Sequence, residues 1–120
     1  IDSAKIGTAQ TVGAIFELAG ASVKRGDGYP GWKPDLDSEV LKISKKVFKN
    51  LFNKEPEIKA IHAGLECGIL GSKNKGLDMI SFGPTIEGAH SPDEKVNIET
   101  VEKFYKLLKG ILKEVAETKK

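Results

Sequence analysis

Three side chains in this sequence have the chemistry of a borderline-soft metal ligand or a neutral-pH nucleophile: His62, Cys67 and His90. A protein-held metal ordinarily takes three or four His, Cys, Asp or Glu donors at fixed distances. No His-x-x-x-His or Cys-x-x-Cys spacing gathers such donors here, so these residues predict one contributed ligand rather than a complete zinc site. His90 is the candidate. It lies in "GAHSPDEKV" (88–96), with Gly88 two residues before it, Pro92 two after, and the acids Asp93 and Glu94 close behind. A polar loop between a strand and a helix is where open α/β sheets collect functional groups. On residue type alone, His90 is either such a group or a surface histidine capping its loop.

The other candidates read differently. His62 falls inside the alternating stretch "EIKAIHA", which predicts a ring hydrogen-bonded within a partly buried sheet. Cys67, in "GLECG", has no adjacent basic residue to stabilise a thiolate and reads as a packed thiol. Glu66 sits between Gly64 and Gly68, which permit close backbone approach. Amides at the start of a helical turn there could hold a substrate carboxylate, with Glu66 facing an amine. A turn shaped only by packing accounts for the same residues equally well.

The elements that must position these groups follow from periodicity. Residues 3–19 place Ile6, Val12, Ile15, Phe16 and Ala19 at helical spacing behind an Asp2 or Ser3 cap, and Gly20 stops the pattern. A short strand over 21–25 is predicted next, followed by the turn-rich "GDGYPGWKP" linker, where a domain boundary is expected. From Ser38 to Phe52 one face carries Val40, Leu41, Val47, Phe48, Leu51 and Phe52, with Asp37 or Ser38 as cap. "EIKAIHA" (57–63) and "LDMISFG" (77–83) read as strands with at least one buried face, flanking a short helical turn at "GLECGIL". The last segment, 97–118, carries a wide stripe of Ile98, Val101, Phe104, Leu107, Leu108, Ile111, Leu112 and Val115.

This order predicts an α/β fold with helices packed on a small sheet. Two or three strands leave exposed edges, so further strands are expected from a longer parent chain or from a second copy in a homodimer. With isoleucine at position 1 and Met79 the only methionine, a longer chain or a removed leader is expected. The 120 residues carry 19 basic and 17 acidic side chains, well mixed, which gives no basic stripe for nucleic acid. No run is long and apolar enough for a membrane span, and one cysteine fits a reducing compartment, so a cytoplasmic location is expected.

The blocks "YPGWKPD", "LFNKEPEIKAIHAGLECG" and "DMISFGPTIEGAHSPDEKVNIETV" resemble the C-terminal part of the aminoacylhistidine (Xaa-His) dipeptidases, members of the cocatalytic di-zinc exopeptidases. The resemblance covers nearly the whole chain. It implies that residues 1–33 finish an inserted lid or dimerisation domain and cross over, and that residues 34–120 form the C-terminal part of the catalytic domain. It also implies two zinc ions per parent site, a dipeptide substrate with C-terminal histidine, and hydrolysis by metal-activated water. By the same resemblance His90 matches a metal ligand of the "GxHSPDE" block; nearby carboxylates can fix a ligand ring's orientation and tautomer, which makes Asp93 and Glu94 candidate outer partners. Gly64, Glu66 and Gly68 match a substrate-proximal loop. The general base and the other ligands would lie outside these residues, so the chain alone is expected to be inactive. The rival expectation is a stand-alone, non-catalytic regulatory or interaction module.

Overall fold

The computed structural model describes residues 2–26, 28–60 and 66–118. In chain order its elements are α1 (Asp2–Leu18), α2 (Glu39–Phe52), α3 (Glu66–Lys73), β1 (Ile86–Glu87), β2 (Lys95–Val96) and α4 (Ile98–Thr118). Among the described residues the fold is thus four helices with a small two-stranded antiparallel sheet. Its residues divide into two compact units, one from 1–33 and 61–77, the other from 34–60 and 78–120.

In the first unit, α1 ends as a glycine C-cap should. Gly20 adopts φ 84°, the Ala21 amide donates to Phe16 O at 3.0 Å and the Gly20 amide to Glu17 O at 2.9 Å. These are the two bonds of a Schellman motif, which satisfy carbonyls that the helix leaves open. At the other end Ser3 lies within the helix and is no cap, while Asp2 Oδ1 accepts the Gly31 amide at 3.1 Å. The predicted strand at 21–25 is absent. After the Schellman turn the chain folds back on α1 instead: Val23 and Arg25 lie over Gly13, and Arg25 Nη2 comes 3.9 Å from Glu17 Oε1. The short turn expected at "GLECGIL" is a full eight-residue helix, α3.

The second unit is built on the α2–α4 pair. Ser38 Oγ accepts the Leu41 amide at 3.0 Å as the N-cap of α2, and Asn53 closes the helix in the left-handed region at φ 51°. Val47 and Ile111 are the buried apolar residues, at 7% and 5% exposure, and Phe48 stacks edge-on with Phe52 at 4.8 Å between centroids. The close approach of the helices depends on Gly110. A Cβ there would lie 2.6 Å from Val47 Cγ1. Glycine costs a helix interior about 1 kcal/mol relative to alanine, whereas overpacking costs roughly 1–3 kcal/mol, so the close contact favours the glycine. The apolar stripe of α4 is narrower than its sequence reads: Phe104, Leu107, Leu108, Ile111 and Val115 are covered, while Ile98, Val101 and Leu112 face outward at 81%, 41% and 61% exposure.

Neither predicted strand at 57–63 or 77–83 carries a strand assignment in its described part, and residues 61–63, with His62, lie outside the described residues. Alternation tells which side of a segment is apolar but supplies no neighbouring backbone, and a ladder needs both. Residues 78–82 are instead anchored to the helices. Phe82 packs on Phe104 at 5.4 Å, and Asp78 Oδ2 accepts the Val40 amide at 2.9 Å. Asp78 and Ser38 together therefore serve the open amides at the start of α2. Desolvation pushes the Asp78 carboxyl up, but the Ser38 hydroxyl and the amides of Val40, Glu39 and Met79 outweigh it and hold its pKa below the ordinary value.

The sign follows from linkage. A carboxyl depressed in the folded state contributes stability that is fully present above its unfolded pKa, near 3.9, and lost as pH falls through the folded value. Asp78→Asn is expected to cost about 1 kcal/mol at neutral pH. It should also flatten the fall in urea midpoint below pH ~4. A wild-type midpoint at pH 7 would contradict this role.

Candidate functional site

His90 lies in the seven-residue loop joining β1 to β2, not in a loop running from a strand directly into a helix as its sequence suggested. The hairpin pairs Ile86 with Val96 and Glu87 with Lys95, and Lys95 Nζ reaches Glu87 Oε2 at 3.1 Å. Both strands are two residues long and exposed, which is why period-two patterning revealed neither.

The loop is folded tightly on itself. Gly88 O accepts the Ser91 amide at 3.0 Å and the Ser91 hydroxyl at 2.7 Å. Ser91 Oγ in turn accepts the Asp93 amide at 3.2 Å, and Ser91 O accepts the Glu94 amide at 3.1 Å. Gly88 sits at φ 64°, and a Cβ on it would come 3.1 Å from Ser91 Oγ and 3.2 Å from Asp93 O. His90 itself adopts φ 64°, a left-handed conformation that few non-glycine residues take without support. The support is Glu94, whose Oε2 accepts the His90 amide at 3.2 Å. The hydrogen bonds of the loop thus engage the backbone beneath His90 and leave its ring exposed. Asp93 and Glu94, expected beside the ring, act here through Asp93's amide and Glu94's grip on the His90 amide.

The base of the hairpin is fixed to α4. Asn97 caps that helix, its Oδ1 accepting the Glu99 amide at 3.1 Å, and its amide donates to Thr85 O at 2.9 Å. Thr100, in the first turn, accepts the Thr85 amide on Oγ1 at 2.8 Å and donates the same hydroxyl to Asn97 O at 2.7 Å.

Among the described residues no group of three or more His, Cys, Asp or Glu could hold a metal ion. His90 fits the part of one donor: an exposed imidazole on a backbone held from both sides. These residues do not form a complete site. The apolar groove of about 320 Å³ in the same unit, lined by Phe48, Phe52, Ile58, Phe82, Phe104 and Leu107, does not include His90 and offers no metal-binding donor beyond Glu57.

The residues expected near substrate belong to the other unit. Gly64 lies outside the described residues. Glu66 is exposed at the first turn of α3, where its charge suits the positive end of the helix dipole. Gly68 is buried, and a Cβ on it would stand 2.5 Å from Pro30 O, so its small size serves packing against the 30–32 backbone. Cys67 is half-buried.

The sequence profile of peptidase family M20/M25/M40 matches residues 3–114. The chain is 45% identical over 115 residues to the cytosol non-specific dipeptidase of Escherichia coli K12, covering 96% of this chain and 24% of that protein. It is 32% identical over 79 residues to an uncharacterized metallohydrolase of Methanocaldococcus jannaschii, covering 62% of this chain and 19% of that one. Among solved structures it superposes on the aminoacylhistidine dipeptidase of Vibrio alginolyticus with a TM-score of 0.71 and 43% identity, covering 94% of this chain and 23% of that chain. The chain therefore spans less than a quarter of the length of each relative.

Gly88→Ala is expected to open the His90 loop, because the added methyl collides with Ser91 and Asp93 in a backbone region costly for alanine. The amides of Ser91 and Glu94 should then exchange with solvent at least several-fold faster, as read by hydrogen exchange. Unchanged protection of both would contradict the loop's dependence on Gly88.

Proposed function

Because the chain belongs to peptidase family M20/M25/M40, we propose that it is the C-terminal part of a metal-dependent dipeptidase, to which it contributes one metal ligand, His90. The observation that carries this reading is the left-handed, Glu94-supported backbone at His90, a strained position kept with its ring free of the loop's own hydrogen bonds. The names of the relatives support a dipeptide as the substrate class, and the Vibrio relative's name points to dipeptides ending in histidine. The rival reading of a stand-alone interaction module draws no support from them.

In this reading, residues 1–33 finish a lid or dimerisation domain and residues 34–120 belong to the catalytic domain. His90 would be one ligand to one of two zinc ions. Zinc, when bound, polarises a peptide carbonyl and lowers the pKa of a bound water to near 7. The chain's own part is orientation. Glu94 holds the backbone at His90, while Gly88, Ser91 and Asp93 close the loop beneath it. Gly64, Glu66 and Gly68 are the proposed substrate-proximal residues, with Glu66 facing the substrate's amine. The proposed setting is the cytoplasm, consistent with the name of the Escherichia coli relative; no helix among the described residues is long and apolar enough to cross a membrane.

Two results follow. The purified 120-residue chain should not hydrolyse β-alanyl-histidine, since these residues supply a single ligand and no general base; robust turnover would refute the fragment reading. In the parent protein, His90→Ala should lower bound zinc and activity together. Normal zinc stoichiometry with normal turnover would exclude His90 as a ligand.

A further inference from the structure

We infer that Thr100 is a positioning residue for His90, acting through the base of the hairpin that carries it. In the regular ladder, the register Ile86–Val96 and Glu87–Lys95 continues to Thr85 opposite Asn97. The Asn97 amide does bond Thr85 O at 2.9 Å. The reciprocal rung is replaced. The Thr85 amide donates to Thr100 Oγ1 at 2.8 Å, and that hydroxyl donates to Asn97 O at 2.7 Å. One side-chain oxygen therefore stands in for a backbone rung and joins three points: the start of β1, the end of β2 and the first turn of α4.

The physical need is clear from what the hairpin lacks. Its two strands have two residues each, all exposed, and an isolated hairpin of that size is marginal in water. Its ladder and the loop's internal bonds fix the shape of the loop but not its direction relative to α4. The Thr100 hydroxyl supplies that reference, because Thr100 sits on the helix that packs against α2 through Gly110 and Ile111. A backbone change of an ångström at the base is carried to the ring of His90, and metal binding is sensitive to displacements of that order. Valine has the shape of threonine but neither accepts nor donates, so Thr100→Val removes both bonds with little change in volume.

This inference rests on the reading of His90 as a metal ligand, and the test separates the two. Zinc affinity of the parent protein is measured by chelator competition for wild type, Thr100→Val, Thr100→Ser, His90→Ala and Asp78→Asn, with hydrogen exchange of the Thr85 amide. Thr100→Val should weaken zinc binding by about tenfold or more and speed exchange at Thr85, while Thr100→Ser, which keeps the hydroxyl, restores both. Asp78→Asn, which loosens the cap of α2 away from the hairpin, should leave zinc affinity at the wild-type level; an equal loss there would reduce Thr100 to a general stabilising residue and overturn the inference. Wild-type affinity in Thr100→Val beside a loss in His90→Ala overturns the positioning role alone. Wild-type affinity in His90→Ala removes the ligand reading and the inference with it.

Discussion

The unit that carries His90 depends on one close contact, the seating of α4 against Val47 of α2 where Gly110 has no side chain. Little else in it is deeply buried: Val47 and Ile111 are the apolar residues below a tenth of their full exposure. Burial of a few aliphatic and aromatic side chains at roughly 1.5–3 kcal/mol each must therefore hold two helices, and everything attached to α4 inherits their placement. The ion pair of Lys46 with Glu114 crosses the same interface but, exposed on the lysine side and screened by solvent, adds little.

From that contact the structure passes outward in short steps. The first turn of α4 holds Asn97 and Thr100, these hold the two ends of a four-residue ladder, and the ladder closes a loop whose backbone is forced left-handed at Gly88 and His90. Each step is a hydrogen bond between groups that would otherwise be left open at a helix or strand end. The result is an imidazole that stands clear of its own loop on a well-supported base. Asp78 repeats the same economy at α2, where a carboxylate from a distant segment caps open amides and ties that segment to the helix pair.

Much of this was legible in the sequence, and the failures have a common cause. The α2 and α4 helices, the Ser38 cap and the Gly20 stop could be read because their signals are local: periodic apolar residues, a capping hydroxyl, a glycine free to take φ above zero. The tight loop at 88–94 was also readable, from its turn residues. What could not be read was pairing. Strands expected at 21–25, 57–63 and 77–83 rested on alternation, which does not say whether a neighbouring backbone is at hand, and β1 with β2 is too short to alternate at all. Thr100 was missed for the same reason, since a threonine in the first turn of an amphipathic helix gives no sign that its hydroxyl will complete a ladder fifteen residues away.

On the proposed reading, the His90 ring binds metal from this constrained loop. Diffraction from zinc-loaded crystals of the parent protein, with the metals located by anomalous scattering at the zinc edge, tests it most directly. A His90 ring nitrogen is expected about 2.0–2.1 Å from a zinc ion, with the Glu94 carboxylate still on the His90 amide. A fully occupied pair of zinc ions with the His90 ring turned away into solvent would contradict it.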